Sequence, residues 1–270
     1  MTKPIMEWGS TGDWKVLDRL RSTKYQQVLL LQLQSDPECK CVAKLADKDG
    51  PTWRNLFNEY MILTTLKSND HFPFPFEISC DLSKAALCVS FCSGENVLSL
   101  SLRDELDAYH VKVVMRGLLA ALDYMQSFCI VHGNLKPEHI LFDKESEKVS
   151  IVGFGVSQVV ENGRAAYPRG FTREYAPPEA FLERKSLTAA WDVWSCGVVM
   201  YALLTGYFPF DYSRHSWSQS RDTLEIPVSS STSLEAISLL DEIFVINPTL
   251  RPTAEELLQH SYFHSGSGDE

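Results

Sequence analysis

Residues able to handle a proton, a cation or an anion are concentrated in one stretch, Ile130 to Gly155, IVHGNLKPEHILFDKESEKVSIVGFG. His132, Asn134, Lys136 and His139 crowd its first half, and Gly153 stands near its end. Asn134 makes hydrogen bonds but cannot accept a proton from a hydroxyl, so it is no general base. His139 offers imidazole nitrogen, a poor match for a hard cation that prefers oxygen. Gly153 has no side chain with which to ligate anything. Elsewhere Lys44 and Glu59 carry opposite charges; a lysine at an exposed strand end is, taken alone, a solvated cation.

The elements that must position these groups come from the flanking patterns. The apolar, β-branched runs Ile140 to Phe142 and Val149 to Val152 bracket turn-rich polar residues. They predict a strand, a polar loop, a short buried strand, a hairpin and a second strand, which brings two polar loops close together. From Trp14, the runs WKVLDRL, QQVLLLQLQ and KCVAKLA predict three strands joined by short polar turns, the second turn being SDPEC. After Gly50-Pro51 the segment TWRNLFNEYMILTTLK sets Trp53, Leu56, Phe57, Tyr60, Leu63 and Leu66 at helical spacing, and Pro51 suits a helix start. Residues 98–128 predict two helices, the second strongly apolar on one side.

In this order the motifs resemble those of the protein kinase superfamily, serine/threonine type. The first stretch is similar to H-R-D-L-K-P-x-N followed by D-F-G: His132, Leu135, Lys136, Pro137, Phe154 and Gly155 match, while Asn134 replaces the catalytic Asp, His139 the metal-binding Asn and Gly153 the metal-binding Asp. The glycine-rich turn of the family is replaced by Arg21, Ser22, Thr23, Lys24, Tyr25 and Gln26. Lys44 aligns with the phosphate-contacting lysine of V-A-I-K and Glu59 with its glutamate partner, and Leu63 with the apolar residue facing the metal-loop phenylalanine. Val28, Val42, Val89, Cys92 and Leu141 fall at adenine-pocket positions, with Ser90 to Cys92 as the hinge. Further on, Thr172 and Glu179 fit T-x-E-Y-x-A-P-E, and Pro177 departs from it. Gly133 replaces the arginine that meets an activation-loop phosphate in many members, so control by that charge pairing is not implied. SLTAAWDVWSCGVVMYALLTGYFPF resembles the central C-lobe helix, with Asp192 bracing the catalytic-loop backbone, and Arg251 is placed to pair with Glu179.

Composition is compatible with this. The chain has 270 residues, 44% of them hydrophobic, which is enough for a large core in one or two domains. No apolar run approaches the roughly 18 residues of a membrane span, and the start lacks a signal-peptide apolar region. The seven cysteines are an odd number without a C-x-x-C pair, so neither a disulfide framework nor a zinc site is signalled. The net charge of −10 disfavours nucleic acid and anionic lipid. The expected setting is intracellular, cytoplasmic or nuclear.

The resemblance implies an α+β, bilobal protein-kinase-like fold, with a small β-rich N-lobe carrying one long helix and a larger helical C-lobe. The expected division is a flexible lead-in over 1–13, an N-lobe over 14–92, a C-lobe over 93–264 and an exposed tail over 265–270. A short Gly/Ser tail directly after the last motif is what an excised domain would show. Residues that hold the family fold together are present (Leu63, His132, Phe154, Glu179, Asp192, Arg251, with Lys44 and Glu59), whereas those that touch metal, phosphate or the substrate proton are replaced. Random decay would strike both classes. The expectation is therefore a pseudokinase, not an enzyme: a scaffold or allosteric regulator of a protein partner, such as an active kinase or other signalling protein. No cofactor is expected, and any ATP would be held without magnesium. Two alternatives stay open, a weak or unorthodox ATP-dependent transferase and a metal-independent nucleotide sensor.

Overall fold

A computed structural model describes residues 13–161, 166–182, 186–210 and 232–264. The flexible lead-in expected before residue 13, residues 213–231 of the polar, serine-rich segment SRHSWSQSRDTLEIPVSSSTS, whose composition predicts a short irregular helix and loop, and the exposed tail expected over 265–270 lie outside the described residues. The chain divides into two compact units, Met1–Ser93 with Val152–Gly155, and Gly94–Ile151 with Val156–Glu270. The first boundary lies one residue beyond the expected 92/93. The placement of 152–155 with the first unit departs from the expected division, because these residues make their hydrogen bonds to a helix some 95 positions earlier.

The first unit is a five-stranded antiparallel sheet with one helix. Strands β1 (Trp14–Ser22), β2 (Gln26–Leu33), β3 (Asp36–Asp47), β4 (Pro75–Cys80) and β5 (Lys84–Ser90) lie in the order β1-β2-β3-β5-β4. The first turn is tight: the Thr23 amide donates to the Gln26 carbonyl at 2.8 Å, and the Gln26 amide to the Thr23 hydroxyl at 3.1 Å. Arg21 and Ser22 are still strand there, and the Lys24 ammonium sits over the Tyr25 ring at 4.8 Å. The second turn is Gln34 and Ser35 only, so most of SDPEC belongs to β3, which starts through a register shift beside Leu33.

Register decides which residues share a face. Val28 pairs with Lys44, and Val42 pairs with both Leu30 and Val89. Side chains alternate across a strand, so Val28, Val42, Lys44 and Val89 share one face. Leu31, Cys41, Ala43 and Cys88 form a buried cluster on the other, with Trp14 and Leu29 packed against it.

Helix α1 spans Trp53–Leu66. It starts at the N-cap Thr52, so Pro51 precedes the helix rather than occupying its first turn. Its buried side is Leu56, Glu59, Ile62, Leu63 and Leu66. Trp53, Phe57 and Tyr60 lie at the margin, and Met61 is 64% exposed. The helical spacing holds, but the buried stripe is rotated toward Ile62 because a charged residue, Glu59, is drawn inward.

The second unit is mainly helical: α2 (Val97–Leu102), α3 (Ala108–Ser127), α4 (Ala189–Thr205), α5 (Leu234–Ile243) and α6 (Ala254–Leu258). A capping box between Asp107 and His110 starts α3, and its stripe Val111, Val114, Met115, Leu118, Leu122 and Met125 is buried at helical spacing. Helix α4 is buried on every side from Trp191 to Tyr201, as an all-round apolar helix at the centre of a unit must be. Short strands β6 (Glu95–Asn96), β8 (Ile140–Asp143) and β9 (Lys148–Ile151) form one sheet, and β7 (Ile130–Val131) pairs with β10 (Gln158–Val159). No helix among the described residues is long and apolar enough to cross a membrane.

Candidate functional site

In the first unit the chemistry centres on Glu59. Strand β3 carries Lys44 and helix α1 carries Glu59, and their charged ends meet at 2.6 Å with side chains only 13% and 5% exposed. The same oxygen, Glu59 Oε1, accepts from the Phe154 amide at 3.3 Å. One turn-mate on α1, Asn58, donates through Nδ2 to the carbonyls of Phe154 and Gly155 at 3.1 and 3.2 Å. Leu63 and Phe154 are both fully buried, and the Phe154 ring meets Phe72 edge-on at 5.8 Å between centroids. Asn58 and Phe72 are additions to the residues that motif reasoning singles out. Only the position of Asn58 next to Glu59 hints at it, and Phe72 carries no signal.

In the second unit the loop between β7 and β8 is fastened from several directions. Asp192 on α4 accepts from the His132 amide at 2.6 Å and from the Gly133 amide at 2.9 Å. Burial pushes its carboxyl up to about 7 against the pull of those two amides. Gly133 has φ +75°, the left-handed region that suits glycine. The Ser157 hydroxyl donates to the His132 carbonyl at 3.0 Å.

Asn134 is held at three points. Its amide donates to His132 Nδ1 at 3.3 Å, its carbonyl faces His139 Nδ1 at 2.9 Å, and its Oδ1 accepts both the amide and the hydroxyl of Thr172, at 2.8 and 2.9 Å. Since a carbonyl only accepts, His139 carries its proton on Nδ1 in this arrangement. The two imidazole centroids lie 5.5 Å apart. Lys136 approaches Glu138 at 3.4 Å. Deeper in the unit, Arg251 grips Glu179 with two bonds of 3.0 and 3.2 Å and also donates to the carbonyls of Ala190 and Val245, all with its guanidinium over the Trp194 ring.

The pocket-like residues divide between the units. Val28, Val42, Lys44 and Val89 share a sheet face in the first, where Cys92 follows β5; Leu141 belongs to β8 of the second, opposite Asn96 and Ser150.

The donors at the three altered positions do not fit magnesium, which asks for oxygen ligands in near-octahedral array. The Asn134 oxygen is engaged by Thr172, the His139 Nδ1 by a carbonyl, and Gly153 contributes no side chain and has φ +91°. Among the described residues no group of three or more His, Cys, Asp or Glu is arranged to hold a metal ion.

Comparison with known proteins adds a family. The family model described as protein kinase domain matches residues 31–263. The probable serine/threonine-protein kinase HSL1 of Saccharomyces cerevisiae is 29% identical over 74% of this chain and 13% of its own length. Sperm motility kinase 2B of Mus musculus is 31% identical over 68% of this chain and 38% of its own, and the probable serine/threonine-protein kinase MARK-A of Dictyostelium discoideum 27% identical over 95% of this chain and 24% of its own. The chain thus spans well under half the length of these relatives.

One expectation is corrected by these findings. That the chain is not an enzyme was the implication of Asn134, His139 and Gly153, but the family match runs through all three positions and the relatives are named as protein kinases. Substitution of three side chains describes how a site departs from its relatives; it does not remove the chain from a group of enzymes.

Proposed function

The chain belongs to the protein kinase domain family, with its bilobal α+β fold, and on that premise we propose that it serves as an allosteric regulator or scaffold of a protein partner, an active kinase or other signalling protein, inside the cell. The observation that carries this reading is the double use of Glu59 Oε1, which holds Lys44 and the Phe154 amide at once. A buried ion pair is weak evidence for stability, but it selects one arrangement over others. Here it fixes α1 against β3 and against Val152–Gly155 through protein contacts alone, and presents the outer side of α1 in one orientation.

Transfer of a phosphoryl group, which the names of the relatives describe, accompanies this role at a reduced rate. A positioned base contributes about 10²- to 10⁴-fold, and Asn134 accepts no proton. Opposite unit charges at 4 Å are worth about 4 kcal/mol at an effective dielectric near 20, so Lys44 alone is a modest anchor for a triphosphate. Nucleotide is held without magnesium in this reading.

The test is quantitative affinity purification from the source cells with the wild-type chain and with Glu59→Ala, alongside label transfer from γ-labelled ATP to serine and threonine peptides. The expected result is a stoichiometric partner that Glu59→Ala retains poorly, with slow transfer that Lys44→Ala removes. A partner retained equally by both chains, or none above background, overturns the regulatory reading.

A further inference from the structure

Two consecutive residues of α1 handle the backbone of the segment 152–155. Asn58 Nδ2 reaches the carbonyls of Phe154 and Gly155 at 3.1 and 3.2 Å, and the Phe154 amide donates to Glu59 Oε1 at 3.3 Å. Both carbonyls only accept, so the carboxamide atom facing them is the amine, whose two hydrogens meet two acceptors. Phe154 is fully buried, and backbone groups removed from water must find partners. Neighbouring side chains of one helix supply both the donor and the acceptor.

Gly155 makes this approach possible. A methyl group there would come within 3.0 Å of the Asn55 Cβ, and Asn55 lies three residues before Asn58, on the same helix face. Any larger residue at 155 would hold the segment away from a side chain as short as asparagine. From the other direction the Phe154 ring is met edge-on by Phe72 at 5.8 Å. No part of this fastening passes through the side-chain position of Gly153. Helix α1 therefore has two separate ties: the Lys44 to Glu59 pair at 2.6 Å holds it to β3, and the Asn58 bonds hold it to the segment 152–155. An anion drawn to Lys44 competes for the first tie only. A ligand shifts an equilibrium only by its differential affinity for the two states, and such an anion replaces neither carbonyl bond of Asn58.

We propose that Asn58 is a positioning residue that holds α1 and the segment 152–155 together with or without nucleotide, so that the partner-binding state of this chain is permanently set and is not gated by ATP. The inference rests on the regulatory role proposed above and names how that role is controlled. It also separates this chain from a nucleotide sensor, in which the tie between α1 and the segment would have to loosen or tighten when ATP binds.

The experiment is amide hydrogen exchange over α1 and the segment 152–155 in the wild-type chain, Asn58→Asp and Asn58→Gln, with the wild type measured both with and without ATP. Asn58→Asp keeps the shape but offers the two carbonyls only acceptors, whereas Asn58→Gln keeps the amine on a longer stem. The amide of Leu87, buried in β5 between two neighbouring strands, opens with the whole unit and reports overall stability. The Phe154 amide is expected to exchange roughly 10- to 100-fold faster in Asn58→Asp, with a much smaller change at Leu87 and part of the protection restored in Asn58→Gln. ATP is expected to leave exchange in α1 of the wild-type chain as it was. Equal protection of Phe154 in wild type and Asn58→Asp, equal acceleration of Phe154 and Leu87, or a change in wild-type α1 on adding ATP overturns the proposal. A partner captured by the wild-type chain and released by ATP would sink it too while leaving the regulatory role standing; protection that depends on Asn58 without any recovered partner would do the reverse.

Discussion

Arg251 and Glu179 are joined by two parallel hydrogen bonds, Nη1 to Oε1 at 3.0 Å and Nη2 to Oε2 at 3.2 Å, with both side chains closed off from solvent. The remaining three guanidinium hydrogens go to backbone carbonyls of Ala190, Val245 and Ile246, so each charge is compensated. Removing one partner leaves a buried, uncompensated ion. Glu179→Gln is expected to cost about 3–5 kcal/mol, read as a lower urea midpoint with an unchanged slope. A loss under about 1 kcal/mol, the range of an exposed pair, would show that the unit relaxes to let water reach Arg251.

Lys44 and Glu59 pose a similar problem with one difference, since Glu59 also serves the Phe154 amide. Lys44→Met should leave Glu59 with that single weaker donor, and Glu59→Gln should leave Lys44 with a neutral one. Each is expected to destabilise by about 3–5 kcal/mol, and the double variant by less than the sum. Strict additivity in a double-mutant cycle would mean the two side chains do not act as a pair.

Asp192 gives a dependence on pH. Its carboxyl is raised from an ordinary value near 3.8 to about 7 by burial. A raised folded value means the folded chain binds the proton more tightly. That contribution is complete below about pH 4 and is lost as pH rises through about 7, with a size on the order of 4 kcal/mol. The urea midpoint of the wild-type chain should therefore fall relative to that of Asp192→Asn between those limits. Parallel pH profiles for the two chains would place the titration of Asp192 outside this window.

Asn134 and Thr172 separate structure from chemistry. Asn134→Ala deletes the acceptor of two bonds, and hydrogen exchange at the Thr172 amide is expected to quicken, whereas Asn134→Asp should leave it slow. Equal exchange in all three chains would show that neighbouring contacts hold Thr172 without help.

Restoring oxygen donors tests the reading of the metal positions. Asn134→Asp, His139→Asn and Gly153→Asp combined should create a magnesium-dependent rise in melting temperature with ATP that the wild-type chain lacks. At φ +91° an aspartate at 153 costs about 1–2 kcal/mol, so the combined chain starts from a lower baseline. A magnesium-dependent rise already present in the wild type would reveal ligands elsewhere.

What the sequence alone determines is whatever depends on neighbours along the chain. Alternating apolar runs specify β1, β2 and β3, and the spacing from Leu56 to Leu66 specifies a helix, because period and hydrophobicity are local properties. Chemical identity is local as well: a glycine at 153 brings no side-chain ligand in any fold. Tertiary structure decides the rest. The rotation of α1 toward Ile62, the second bond of Glu59 to a residue 95 positions away, the assignment of Val152–Gly155 to the first unit, and the occupation of the Asn134 oxygen by Thr172 all arise between segments distant in sequence. No periodicity records them, since a hydrogen bond between remote segments is chosen by which polar atoms the packed core leaves facing each other.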